Sequence, residues 1–265
     1  MYSLSRLAKK YISFYSKASS RKGHGIHSPF VFDFIKHIKN DRTQQDAYHP
    51  IEKIRKELLK NKSIIPVQDF GAGSAVIKTN DRPVYKIAQS SLKPKRLARL
   101  LFRIIKKYEP KTIIELGTSF GITTAYLATA RPASAVYSLE GAPAIASIAK
   151  KTFEKLSLQN IHLIEGDFNE TLPRLLDQLP GFDFAFIDGN HRKAPSLAYF
   201  KLFKEKRNND SILIFDDIHW SREMEEAWDK IRQDEDVTLT LDLFYLGIVF
   251  FKKECKVKQH FLLRF

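Results

Sequence analysis

Two short stretches concentrate the residues of this sequence that could do chemistry. "FIDGNH" carries Asp188 and His191, and "IFDDIHW" carries Asp216, Asp217 and His219. Each begins on an apolar run of strand character, "FDFAFI" before Asp188 and "SILIF" before Asp216. Ends of neighbouring strands lie about 4.8 Å apart. Three carboxylates that close repel one another unless one is protonated or a cation joins them. An imidazole with its ordinary pKa of about 6.5 can take a proton near neutrality, which makes His191 and His219 candidate bases. Each has a plainer role to be weighed: Asp217 as a structural or capping residue before the helix "SREMEEAW", and either histidine as a surface or loop residue. His24 and His27 in "GHGIHSPFVF" lack a third clustered ligand, so that stretch reads as an ordered turn entering a helix.

A second kind of chemistry belongs to glycine-bearing turns, and two compete for it: "VQDFGAGSAV" around Gly71 and "TIIELGTSFGITTAYLA" around Gly117. A cofactor turn needs a helix directly behind the glycines, so that its unpaired amides face the ligand. It also needs a following strand that ends in an acid for the ribose hydroxyls. Behind Gly73 the segment "SAVIKTNDRPV" has no helical period and contains Pro83, so Gly71 and Gly73 are expected to serve a tight turn or close packing. Behind Gly121 a good helix follows, and Glu140 closes the next strand 19 residues on (140 minus 121), near the ~20 expected of a ribose-binding acid. The turn "GTSFG" lacks the G-x-G-x-x-G triple that receives a pyrophosphate. A ligand without phosphate fits better.

These residues need elements to hold them. From residue 92 the pattern is regular: a helix to about 108, then strand "TIIEL", helix "GITTAYLATA", strand "AVYSL", helix "PAIASIAKKTFEKL", strand "IHLI", helix "TLPRLLDQL", strand "FDFAFI", helix "APSLAYFKLFKE" and strand "SILIF". Alternating short apolar strands and helices predict an α/β fold, a doubly wound and mostly parallel sheet covered on both faces. After helix "SREMEEAWDKIRQ", the runs "VTLTLDL" and "YLGIVFF" are joined too tightly for a helical crossover and must pair antiparallel. Seven strands ending in a hairpin are therefore expected. Before residue 92 lie a basic helix, helices at 30–39 and 51–60, and the Gly71 turn. The expected division is a helical cap over residues 1–91 and a cofactor-binding domain over 92–265.

The ordered set "ELGTSFG", "YSLEG", "EGDF", "FIDGNH" and "IFDDIHW" resembles the class I S-adenosylmethionine-dependent methyltransferases, whose first motif is E/D-x-G-x-x-x-G, met here by Glu115, Gly117 and Gly121. The resemblance covers about residues 92–265, terminal hairpin included. It implies S-adenosylmethionine as cofactor, with Glu115, Gly117, Thr118, Gly121, Glu140, Gly141, Asp167, Phe168 and Asp188 around it. Glu140 would take the ribose, Asp167 and Phe168 would flank the adenine, and Asp188 would lie close to the sulfonium. "FIDGNH" and "LIFDDIHW" look like the catechol and caffeoyl-CoA O-methyltransferase branch and its uncharacterised bacterial relatives. That branch implies a divalent cation, usually Mg2+, on Asp188, Asp216 and Asp217, a hard ion suited to oxygen ligands that lowers the pKa of a substrate hydroxyl. The branch often carries Asn where Asp217 stands, and a lysine where His191 stands.

Bulk properties bound the rest. A chain of 265 residues, 43% hydrophobic, with 20 Phe and 10 Tyr, can bury a large core. A single cysteine, Cys255, allows no internal disulfide, and no signal-peptide pattern opens the sequence. A reducing, cytoplasmic setting is expected. The longest apolar run, residues 243–251, falls well short of the roughly 18 that a spanning helix needs. The net charge of +14 is uneven: no acid precedes Asp33, whereas Arg6, Lys9, Lys10, Lys17, Arg21 and Lys22 are basic. With Leu4, Leu7, Ala8, Tyr11, Ile12 and Tyr15 at helical spacing, this arm is an expected amphipathic helix. It either packs as a cap, meets an anionic membrane surface or contacts nucleic-acid phosphates.

The charge makes a nucleic-acid methyltransferase the first rival reading. Base-nitrogen enzymes of this fold carry an Asn/Asp-Pro-Pro-aromatic motif where "IDGNH" stands, and the cytosine-carbon enzymes need a cysteine near that edge. Both are absent there, so nucleic acid is disfavoured as a partner. A non-catalytic membrane-binding module is opposed by the intact Glu115, Gly117, Gly121 and Glu140, and a nicotinamide oxidoreductase by the missing glycine triple. The expectation is O-methylation of a small-molecule hydroxyl.

Overall fold

The structure, a computed structural model, describes residues 1–19, 27–67 and 81–265. His24 and the turn with Gly71 and Gly73 lie outside the described residues. In chain order it holds α1 (Leu4–Lys17), α2 (Pro29–Phe34) continued by a π-helical turn (Ile35–Lys39), α3 (Tyr48–Leu58), β1 (Ile64–Pro66), β2 (Asp81–Pro83), α4 (Val84–Ser91) and α5 (Lys95–Tyr108). Regular alternation follows with β3 (Thr112–Leu116), α6 (Ile122–Ala130), β4 (Ala135–Glu140), α7 (Pro143–Lys155), β5 (Ile161–Glu165), α8 (Phe168–Gln178), β6 (Phe182–Ile187), α9 (Lys193–Glu205) and β7 (Arg207–Asp216). The chain then runs through α10 (Arg222–Gln233), β8 (Leu239–Asp242), β9 (Leu246–Phe250) and β10 (Gln259–Leu262). The class is α/β with a mostly parallel sheet, as the alternation predicts. By backbone proximity the chain forms two units, residues 42–179 and residues 1–41 with 180–265.

In the unit of residues 42–179, β4 lies between β3 and β5 and runs parallel to both. Its helix α5 buries Leu97, Leu100, Leu101, Ile104 and Ile105, the i, i+3, i+4, i+7, i+8 stripe of an amphipathic helix. Each fully buried Leu or Ile contributes about 1.5–3 kcal/mol. The sequence reading runs one helix from residue 92, but the structure starts α5 behind Pro94. Proline biases the preceding residue away from helical geometry, and Leu92, closing α4, is already extended (ψ 120°). α3 and α4 bring Ile51, Ile54, Val84 and Ile87 into the same cluster as Phe120, Ile122 and Tyr126.

The other unit orders its strands β10-β8-β9-β7-β6. β6 and β7 are parallel, while β9 pairs antiparallel with both β7 and β8, which is the expected closing hairpin. The runs Phe184–Ile187 and Ile212–Phe215 are buried on both faces, which explains their unbroken apolar sequence. Helix α10 packs its Trp228 ring against Gly247 of β9, so closely that a Cβ there would stand 2.6 Å from the ring. β10 is an eighth strand beyond the seven expected, adding parallel to β8. Four residues behind a lysine-rich segment give too short an alternation to signal it. No helix among the described residues is long and apolar enough to cross a membrane.

Candidate active site

In the unit of residues 42–179 the carboxyl ends of three strands align. Leu116 is in register with Leu139, and Glu140 with Glu165, so Gly117, Glu140 and Gly166 emerge along one edge. The turn behind β3 is an elbow with three left-handed residues in five: Gly117 (φ 97°), Ser119 (φ 49°) and Gly121 (φ 78°). Glycine takes such angles without cost, whereas Ser119 does not. Its compensation comes from Glu140, whose Oε2 accepts the Ser119 N–H at 2.8 Å while Oε1 accepts that of Ala142 at 3.0 Å. Gly121 sits at the head of α6, where an added Cβ would collide with the Phe153 ring.

Beneath the elbow Glu115 is fully buried. Its Oε2 accepts from the hydroxyls of Thr124 and Ser138, and Thr118 Oγ1 lies 2.6 Å from Ser138 Oγ. Burial pushes the Glu115 carboxyl up to about 7, against the pull of the Ser138 and Thr124 hydroxyls and with help from the Glu140 charge. Its Oε1 has no hydrogen-bond partner among the described residues, so an acceptor is left over beside the turn. Gly141 is half-buried behind Glu140. Asp167 caps α8, accepting the Asn169 N–H at 2.8 Å, and Phe168 opens that helix, half-buried. Ser119, Thr124 and Ser138 were not singled out in the sequence. Small hydroxyls flanking a buried motif acid are the signal that could have found them.

In the other unit Asp188 follows β6 and Asp216 ends β7, with Ile187 in register with Phe215. One ligand atom each from Asp188, His191 and Asp216 lie within 4.8 Å of one another, and His191 Nε2 stands 3.7 Å from Asp188 Oδ1. Asn190 turns the chain through a left-handed residue (φ 57°) and donates from Nδ2 to the Tyr199 hydroxyl at 3.0 Å, which brings His191 back over Asp188. The expected acid trio is thus an Asp-His-Asp trio, and Asp217 is outside it. Asp217 is itself left-handed (φ 54°) and gives its N–H to Tyr245 O at 2.7 Å. Nor does it cap α10: that is done by Ser221, which accepts the Met224 N–H at 3.2 Å.

His219 has a different environment. Its Nε2 lies 2.9 Å from Asp242 Oδ2 and its Nδ1 3.1 Å from Glu225 Oε1, with the ring stacked on Phe244 at 5.1 Å. Burial works against its charged form, but bonding and charge from Asp242 and Glu225 outweigh it, and the imidazole pKa is raised. His219 therefore bridges two carboxylates. His27 is exposed ahead of α2.

The glycine elbow with its strand-end acid, and the cluster of Asp188, His191 and Asp216, are the features on which a likeness to methyltransferases of α/β fold rests. Residues 114–218 match the family described as "Methyltransferase domain", and the resemblance drawn from the motifs is borne out. Among curated proteins, a catechol O-methyltransferase of Niastella koreensis is 29% identical over 113 residues, covering 42% of this chain and 50% of that protein. The chain thus spans about half the length of that relative. Among solved structures, an SAH-bound methyltransferase of Podospora anserina aligns with a TM-score of 0.61 at 14% identity, over 96% of this chain and 99% of that one. An O-methyltransferase of Bacillus cereus in complex with SAH gives 0.56 at 15%, over 79% and 92%. At those identities the solved structures speak for the fold.

Proposed function

We propose that this chain transfers a methyl group from S-adenosylmethionine to a hydroxyl of a small molecule. One observation carries the reading: the Asp188, His191 and Asp216 ligand atoms converge within 4.8 Å at the ends of β6 and β7, inside the stretch that matches the methyltransferase domain. Two carboxylates and an imidazole in reach of one another are a set that can order and deprotonate a hydroxyl. The catechol O-methyltransferase relative supports the choice of oxygen as acceptor.

In this reading Glu140 holds the ribose hydroxyls of the donor, while Gly117, Thr118 and Gly121 shape the elbow that receives it. Glu115 supports the elbow from below, and Gly141, Asp167 and Phe168 line the adenine side. The spare acceptor on Glu115 and the left-handed elbow fit such a ligand. Asp188 and Asp216 orient the acceptor, and His191 receives its hydroxyl proton as the oxygen attacks the methyl carbon. The C–S bond breaks with its electron pair going to sulfur, leaving S-adenosylhomocysteine and a methyl ether. His219 positions the loop that follows Asp216. The donor set of Asp188, Asp216 and His191 also fits a divalent cation such as Mg2+, with Asp217 next in the chain. When bound, that ion supplies positive charge that lowers the pKa of the hydroxyl. Residues 1–91 would act as a cap over the acceptor and residues 92–265 as the catalytic domain, in the cytoplasm.

Calorimetric titration with S-adenosylmethionine tests the donor site: the protein binds, and Gly117→Arg does not. Equal heats from both overturn it. Methyl transfer to a panel of flat hydroxylated acceptors, before and after chelator treatment, tests the rest. Activity untouched by the chelator removes the cation, and loss of transfer in His191→Gln with donor binding intact assigns His191 to the acceptor side of the site.

A further inference from the structure

Helix α1 has a hydrophobic arc broader than the surface that covers it. One flank, Leu7, Tyr11, Phe14 and Ala18, turns inward: Phe14 and Ala18 are buried, and the Tyr11 and Phe14 rings meet Phe244 at 5.0 and 5.4 Å. The helix is fastened along its length. Tyr2 N–H donates to Trp220 O at 3.0 Å, Lys10 Nζ reaches both Glu225 oxygens at 2.9 Å, and Ser19 N–H donates to Leu262 O at 2.8 Å. Advancing 100° per residue, the adjoining flank is Leu4, Ala8, Ile12 and Tyr15, with Met1 beside it. This flank faces outward: Leu4 is 84% exposed, Ile12 69%, Met1 66% and Tyr15 37%. A fixed helix that keeps three large aliphatic side chains in the open has an unfilled contact.

Charge says what fills it. No acid occurs before Asp33. Lys9 lies beside Ile12 on the exposed side, Arg6 and Lys17 are exposed further round, and the Arg264 guanidinium stands 4.4 Å over the Tyr15 ring. Long basic side chains flanking an apolar stripe can reach up to phosphates while the stripe enters the headgroup layer. A second copy of this helix would instead bring like charges together.

From this exposed stripe and its basic border we infer that α1 is a docking surface for an anionic phospholipid membrane, on which the protein lies peripherally. The inference does not rest on the methyl-transfer reading, since it uses no residue of that site. Leu4 and Ile12 enter the lipid boundary, Tyr15 sits at its polar edge, and Lys9 and Arg264 meet anionic headgroups. The buried flank holds the helix parallel to the membrane plane. Attraction to the surface weakens as salt shortens the Debye length.

The test is co-sedimentation of the full chain with vesicles of phosphatidylcholine alone or with phosphatidylserine added. The expected result is binding to the phosphatidylserine vesicles at low salt, release at high salt, and none to phosphatidylcholine alone. The double variant Leu4→Ser, Ile12→Ser removes only exposed apolar groups, so its melting temperature stays at that of the parent while its partitioning falls roughly tenfold or more. Three results overturn the proposal. The first is a parent left in the supernatant with anionic vesicles at low salt, and the second is a double variant that binds as well as the parent. Alternatively, sedimentation velocity shows a dimer that the double variant abolishes, which assigns the stripe to a second copy.

Discussion

Glu140 Oε2 accepts the N–H of Ser119 at 2.8 Å, tying the end of β4 to the middle of the elbow behind β3. A charge-assisted bond of this kind is worth about 1.5–3 kcal/mol, and it holds a serine in a left-handed conformation that is otherwise unfavourable by about 1–2 kcal/mol. Glu140→Ala is expected to lower the melting temperature by a few degrees and to weaken S-adenosylmethionine binding roughly tenfold to a hundredfold. Calorimetry and thermal scanning read both. Binding retained at parental strength would remove Glu140 from the donor site.

Gly121→Val places a branched side chain where φ is +78° and where the Phe153 ring already fills the space. Backbone strain and overpacking together are expected to lower stability by about 2–4 kcal/mol. Urea unfolding measures the change. A loss under 1 kcal/mol would mean that the elbow relaxes around the new side chain.

Glu115 gives a pH signature. Its folded pKa of about 7 stands above the unfolded value of 4.5, so the unfolded chain releases this proton first as pH rises. The native state is therefore penalised progressively from about pH 4.5 to 7, by a total on the order of 3 kcal/mol. Glu115→Gln does not ionise, and its unfolding free energy should fall less than that of the parent between pH 5 and pH 7.5. Parallel profiles for the two proteins would sink this assignment.

His219 works in the opposite sense. Its folded pKa is raised above 6.5, so the bridge to Asp242 and Glu225 contributes fully below pH 6.5. The contribution is lost as pH rises through the folded value. His219→Leu leaves the buried Asp242 side chain without its imidazole partner and is expected to cost about 3 kcal/mol at pH 6 and less at pH 9. Melting temperatures of parent and variant at the two pH values give the comparison, and a pH-independent difference would show that the ring serves packing alone.

Much of the scaffold is legible in the residues. β3 and β6 have the bounds that "TIIEL" and "FDFAFI" suggest, because buried parallel strands are continuous apolar runs that end where polar residues begin. The acids Asp188 and Asp216 could be placed at strand ends for the same reason. Departures occur where a local backbone rule or a distant partner takes over. Pro94 separates α4 from α5, left-handed Asp217 turns to Tyr245 instead of joining its neighbour, and left-handed Asn190 brings in His191.

By itself, then, the sequence determined the period of its elements, the glycines at the elbow and the acids at the strand ends, since these follow from the hydrophobicity and backbone freedom of neighbours in the chain. Tertiary structure alone decided which side chains share a site. His219 meets Asp242 across 23 residues and Lys10 meets Glu225 across 215, and such pairings are set by strand register and helix docking. The same docking decides which flank of α1 is covered. Its hydrophobic spacing marks a stripe, and only the packed chain leaves Leu4 and Ile12 outside, because the surface around Phe244 accommodates one side of the helix.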